Sequence, residues 1–231
     1  VSIDLIKQIQ ATRGKTISPK LVPNSVHNSP VGYLSIGKKN HEPSLAVSQG
    51  WLSPEAALSS VRDLIEGGLA KRVLVVAGDE ADPTWIEKLR ELGAEKWARD
   101  VEEESFKECA AAVVLGSEPG GKMLGSLVAG VERIGEGSDH IAECLKRNGA
   151  LPGEQAVVGI HPYTKEMDFK NAVAKALGRK EEEILSEGSL QAGTFASLVL
   201  SLLDGDTKEH LFLGYELGEL SFLHFTGNRV D

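Results

Sequence analysis

The stretch from Ser44 to Gly78 constrains the fold most, because it has the pattern of a strand, a sharp turn, a helix and a second strand. Ser44–Ser48 is short and mostly apolar, and Gln49–Leu52 forms the turn. Ser53 can cap a helix N-terminus, and Pro54 suits the first helical position. Apolar residues then recur at helical spacing until a pair of glycines ends the helix.

The second strand of this stretch, Lys71–Gly78, is a continuous apolar run of the type that is buried on both faces of a sheet. We therefore expect a central, parallel strand that completes a right-handed βαβ unit. In α/β enzymes the elbow of such a unit often presents a nucleophile over the helix N-terminus, where negative charge is favoured. Here the elbow holds Gln49, Gly50, Trp51 and Leu52, and none of these is a nucleophile.

Helices and strands alternate along the rest of the chain. We predict helices over Ile3–Gln10, Pro30–Gly37 (capped by Asn28 or Ser29), Thr84–Leu92, Ser138–Asn148, Asp168–Leu177 and Leu190–Leu203. We predict strands over Cys109–Leu115, Leu124–Val131, Ala156–Ile160, His210–Tyr215 and Leu220–Phe225. The first two of these strands and the last two are each expected to form an antiparallel pair. The pattern indicates an α/β protein of two similar halves, with a boundary at Gly135–Gly137.

Composition excludes several classes of function. The formal net charge of −9 argues against non-specific binding to nucleic acid or anionic membranes. The longest apolar run is too short and too interrupted to span a bilayer, and no signal peptide is recognisable. Cys109 and Cys144 lie in apolar segments and are expected to be buried free thiols, so we expect a cytoplasmic protein. No histidine or cysteine spacing fits a metal site, and we expect neither a metal nor a cofactor.

His161 is the histidine best placed for catalysis, because it follows a predicted buried strand at the edge where open α/β sheets carry their sites. The alternative is a strand-end histidine without a function. We expect His224 to be packed within the last strand, and His41, His140 and His210 to be solvated.

Two segments of the chain resemble the N-terminal half of beta-ketoacyl synthases of the thiolase superfamily: SPKLVPNSVHNSPVGYLSI and EPSLAVSQGWLSPEAAL. The resemblance is closest to short, synthase-like proteins grouped with chain-length factors. The family segment GPSYTVDTACSSSLVAL, laid on Glu42–Leu58, puts its nucleophilic cysteine at Trp51. VVGIHPYTKE can be laid on the segment of the first catalytic histidine, which gives that role to His161, and Ser189 stands about where the second is found. LGYELGELSFLHF resembles the Gly-rich closing hairpin GFGGTNxxLVF.

The resemblance implies a shortened thiolase-like fold, layered α/β/α/β/α, with two pseudo-repeated halves at residues 1–135 and 136–231. Tryptophan cannot form a thioester, and only one of the two expected histidines is present. The implied function is therefore a non-catalytic, chain-length-factor-like partner in polyketide or fatty-acid-type biosynthesis. The implied cleft or interface residues are Asn28, Ser48, Gln49, Gly50 and Ser189.

The same resemblance implies a homodimer, or a heterodimer with an active ketosynthase, in which the strand Ser44–Ser48 lies at the interface; acyl carrier protein is a further expected partner. In an alternative interpretation the chain is an enzyme. It would be a beta-ketoacyl synthase-related acyltransferase or decarboxylase that uses His161 without a covalent cysteine intermediate. A third possibility is a module that binds acyl chains or carrier protein. On the first interpretation Trp51 lies at the N-terminus of a buried helix, with its indole in the cleft between the two halves or at a dimer interface.

Overall fold

The structure is a computed structural model that describes residues 2–19, 28–50, 52–79, 83–91, 93, 109–118, 123–135, 137–160, 168–186, 193–203 and 208–227. The chain divides into two compact units, a first unit of Val1–Ser48 and a second unit of Gln49–Asp231. The predicted division near residue 135 stays a prediction. Among the helices that these ranges contain, none has the length and apolar character needed to cross a membrane.

The described residues of the first unit form two helices, α1 (Ser2–Thr12) and α2 (Ser29–Lys38). Both confirm predicted helices, although α2 continues one residue past Gly37 and ends before Lys39, which has a left-handed backbone. The predicted strand Ser44–Ser48 is wrong, because these residues belong to no helix or strand. Its apolar residue Leu45 is 60% exposed. A strand needs a neighbouring strand for its backbone hydrogen bonds, and the local apolar pattern alone does not supply one.

The second unit contains the remaining helices and all the described strands. The helices are α3 (Ser53–Glu66), α4 (Pro83–Glu91), α5 (Ser138–Arg147), α6 (Phe169–Leu177) and α7 (Gly193–Leu203), with a short 3-10 helix at Glu181–Glu183. The strands are β1 (Arg72–Asp79), β2 (Cys109–Gly116), β3 (Gly125–Arg133), β4 (Val157–Ile160), β5 (Ile184–Ser186), β6 (His210–Glu216) and β7 (Glu219–Gly227).

A five-stranded sheet in the order β3-β7-β6-β4-β5 forms the centre of the second unit. β4 runs parallel to β5 and β6, whereas β6–β7 and β3–β7 are antiparallel. Alternate residues of β6 point to opposite faces, so Leu211 and Leu213 pack with α5 and α6 while Phe212 packs with α3 and α7. The sheet is therefore covered by helices on both faces.

A second, two-stranded sheet of β1 and β2 packs on the far side of α3 and α7. Val75 and Ala111 of this sheet join the same apolar cluster as Leu58 of α3 and Phe195 of α7. The described layers of the second unit thus alternate as helices, sheet, helices and sheet.

Two predicted strand pairings are wrong. β1 pairs antiparallel with β2 rather than lying in a parallel βαβ unit, and its outward residues Leu74 and Val76 are 50% and 55% exposed. The predicted β2–β3 hairpin is also absent, because β3 pairs with β7. The β3–β7 pairing includes a close contact between the strands. Gly130 of β3 leaves room for the ring of Phe222 of β7, since a Cβ on Gly130 would lie 2.6 Å from that ring. An apolar run predicts a strand but not its partner.

Candidate functional site

The elbow before α3 is a tight turn held by backbone hydrogen bonds, such as that from Leu52 to Gln49, and by one side chain. The hydroxyl of Ser53 accepts a hydrogen bond from the backbone N–H of Gln49 and donates one to the carbonyl of Gly50, each at 2.7 Å. Ser53 therefore braces the turn, and the predicted helix cap at Ser53 is wrong, since Leu52 occupies the N-cap position. Gly50 has a φ of +55°, a conformation that suits glycine.

The turn between β6 and β7 lies against this elbow. The side-chain amide of Gln49 donates a hydrogen bond of 2.6 Å to the carboxylate of Glu219. A Cβ on Gly50 would lie 3.0 Å from a carboxylate oxygen of Glu216. These residues, with Leu52 and Leu217, line a small cleft at the start of α3, which we call the elbow cleft.

Among the described residues that line the elbow cleft, the titratable side chains are the carboxyl groups of Glu216 and Glu219. The free N–H groups and dipole of a helix N-terminus favour negative charge, and here that end of α3 has Glu216 and Glu219 beside it. Glu55, in the first turn of the same helix, is buried. A nearby like charge disfavours ionisation of a further acidic group. The two carboxylates therefore act against a thiolate or oxyanion in the elbow cleft, in opposition to the helix N-terminus, which favours one.

The structure brings only some of the predicted site residues together. Gln49 and Gly50 line the elbow cleft. Asn28, whose side chain makes no capping hydrogen bond, precedes α2 in the first unit, and Ser48 is exposed at the end of that unit.

Three further predicted site residues, Trp51, His161 and Ser189, lie outside the described residues, and their roles stay predictions. The strand before His161 is present as predicted: β4 ends at the buried Ile160 and runs parallel to its two neighbours.

Sequence reasoning missed Glu216 and Glu219 as residues of the site. They flank a two-residue turn of Leu217 and Gly218, both with positive φ, as a type I′ hairpin turn requires. A signal was present in the resemblance, because LGYELGELSFLHF was laid on a closing hairpin whose turn is rich in glycine. The replacement of that glycine-rich turn by two glutamates and a leucine could have directed attention to this charge.

A separate network joins Glu209 and His224, away from the residues that line the elbow cleft. The Glu209 carboxylate accepts the backbone N–H of Gly153 at 3.0 Å and lies 2.7 Å from Nε2 of His224. Burial acts to raise the pKa of Glu209, but the hydrogen bonds from Gly153 and His224 and the charge of Arg179 outweigh it and lower the pKa. Arg179 also donates to the carbonyls of Gly153 and Ala156, so the network fastens the loop that enters β4.

Two expectations about histidines have different outcomes. His224 is packed within β7, as predicted. The expectation that His210 is solvated is wrong, because it is only 3% exposed and its ring stacks on Phe212. His210 begins β6 and is paired in the sheet with Val157 of β4 and Phe225 of β7, whose side chains flank it.

Cys144 is a buried free thiol, as predicted, whereas the side chain of Cys109 lies outside the described residues. Burial, together with the carboxylate of Glu132, raises the pKa of Cys144 to about 11. Glu132 also binds Arg147 and Asn148, so the group links β3 to the end of α5. Because the thiolate is the reactive form, this cysteine is not a nucleophile at neutral pH.

Comparison with protein families identifies one match. The family model described as beta-ketoacyl synthase, N-terminal domain, matches residues 2–124, which is more than half of the chain. A search of the curated proteins finds no match.

Solved structures of the thiolase-like fold are similar along most of the chain. The ishigamide ketosynthase/chain length factor has a TM-score of 0.65 and 16% identity, with 98% of this chain and 69% of that chain covered. A type II PKS acyl-carrier protein in complex with its ketosynthase bound to the hexaketide has a TM-score of 0.64 and 16% identity, with 97% of this chain and 71% of that chain covered. Acetamide-bound OleA of Xanthomonas campestris has a TM-score of 0.57 and 16% identity, with 84% of this chain and 69% of that chain covered. At these identities the similarity shows the fold, which is the layered α/β fold predicted for this chain.

Proposed function

Because the chain belongs to the beta-ketoacyl synthase family, we propose that it is a synthase-like subunit that performs no condensation itself. In this proposal it is a chain-length-factor-like partner of an active ketosynthase in polyketide or fatty-acid-type biosynthesis. The observation that carries the proposal is the pair of carboxylates, Glu216 and Glu219, at the elbow before α3.

Condensation by a synthase of this family needs a thiolate at the elbow to accept the acyl group. The carboxylates of the elbow cleft oppose such an anion, and Glu219 is fixed there by its hydrogen bond from Gln49. The sequence supports the same conclusion, because the resemblance puts Trp51 at the nucleophile's position and Ser189 at that of a catalytic histidine. Charge and residue type therefore both disfavour a covalent acyl intermediate.

The first unit supports the role of a partner. None of its described side chains is buried, and Tyr33 and Ile36 of α2 and Leu45 are largely exposed. A surface that another protein covers typically carries exposed apolar side chains. We propose that this surface, including Ser44–Ser48, contacts a second thiolase-fold subunit, either another copy of this chain or a ketosynthase. Acyl carrier protein is the further partner we propose, since one of the similar structures contains it.

A thiol placed at the elbow tests whether the carboxylates of the elbow cleft oppose a thiolate there. In a background with Cys109 and Cys144 replaced by Ala, the variant Trp51→Cys carries its only thiol beside Gly50. We expect the rate of its alkylation by iodoacetamide to report a thiol pKa above the ordinary value of about 8.5. Adding Glu216→Gln and Glu219→Gln should lower that pKa, since both negative charges are removed.

Glu118→Gln serves as the matched control, because Glu118 is an exposed glutamate outside the elbow cleft. It should leave the alkylation profile of the Trp51→Cys protein unchanged. A thiol pKa below the ordinary value with both elbow carboxylates in place would reject the argument.

The enzyme hypothesis is favoured by one observation, the position of β4. This strand ends at Ile160, so the next residue, His161, follows a parallel strand at its C-terminal end, where open α/β sheets carry their sites. Its test is turnover of malonyl and acyl thioesters by the native chain and by His161→Ala. On the partner proposal both proteins give the same background rate, whereas turnover by the native chain that His161→Ala abolishes would establish the enzyme instead.

A further inference from the structure

We draw no further inference here: the strongest candidate, the exposed apolar face of the two-stranded β1–β2 sheet that Leu74, Val76 and Val114 form, carries none because nothing in the structure shows what covers it.

Discussion

Glu209 is a residue whose ionised side chain links the loop before β4 to β7. Its carboxylate holds the loop at Gly153 and the buried ring of His224. The lowered pKa of Glu209 means that the folded state prefers its ionised form. The stabilisation is therefore present above the pKa that Glu209 has in the unfolded chain, and it is lost as the pH falls through the lower folded pKa.

Replacement of Glu209 by Gln should accordingly lower the free energy of unfolding at pH 7. The difference from the native chain should narrow as the pH falls below about 4, where the unfolded-state glutamate is protonated. Urea unfolding followed by circular dichroism at several pH values measures both effects. Glu118→Gln is the control at an exposed glutamate. A Glu209→Gln protein as stable as the native chain at pH 7 would refute the assignment.

The elbow of α3 and the β6–β7 hairpin are joined by the hydrogen bond between Gln49 and Glu219. These residues are 170 positions apart in sequence, so the bond fixes two distant elements against each other. A double-mutant cycle with Gln49→Ala and Glu219→Ala should give a coupling free energy of about 1 kcal/mol, as expected for a partly exposed hydrogen bond to a charged group.

The ion pair Lys88–Glu91 on α4 is the matched control for this cycle. It lies within one helix and both side chains are more than half exposed, so its coupling should be below about 0.5 kcal/mol. Equal coupling free energies in the two pairs would show that the hydrogen bond between Gln49 and Glu219 does not fix the elbow of α3 to the β6–β7 hairpin.

Local signals predicted the helices and strands better than the pairing between strands. α6 begins after Asp168 and ends at Leu177, and Gly178, which follows, has a φ of +63°, the left-handed conformation expected past a helix C-terminus. β6 and β7 were predicted as a pair because a short turn joins them. By contrast, the partners of β1 and β3 depend on packing between distant residues, and no periodicity within a single strand specifies that packing.

The turn at the elbow could be predicted from the sequence, whereas the carboxylates beside it could not, because the two have different origins. Glycine, serine and proline mark the turn locally, whereas Glu216 and Glu219 reach it only through the folding of the central sheet. In the sequence these glutamates are ordinary turn residues. Their role in the site follows from the contact with Gln49 and Gly50.

At the scale of the whole molecule, the proposed role requires association with another subunit. The carboxylates of the elbow cleft and the exposed apolar residues of the first unit both fit the subunit that we propose, a member of this family that acts with a thiolase-fold partner. The substitution Leu45→Glu should weaken that association, because Leu45 is 60% exposed within the proposed contact surface. Leu69→Glu is its matched control, since Leu69 is an exposed leucine in the second unit, with 73% of its surface accessible.

The most direct test is sedimentation velocity of the purified chain, alone and mixed with an active ketosynthase, preferably one encoded by a neighbouring gene. We predict a dimer in at least one of the two samples, with Leu45→Glu shifting it toward monomer and Leu69→Glu leaving it unchanged. A chain that sediments as a monomer at all concentrations, and that forms no complex with any ketosynthase offered to it, would contradict the partner proposal.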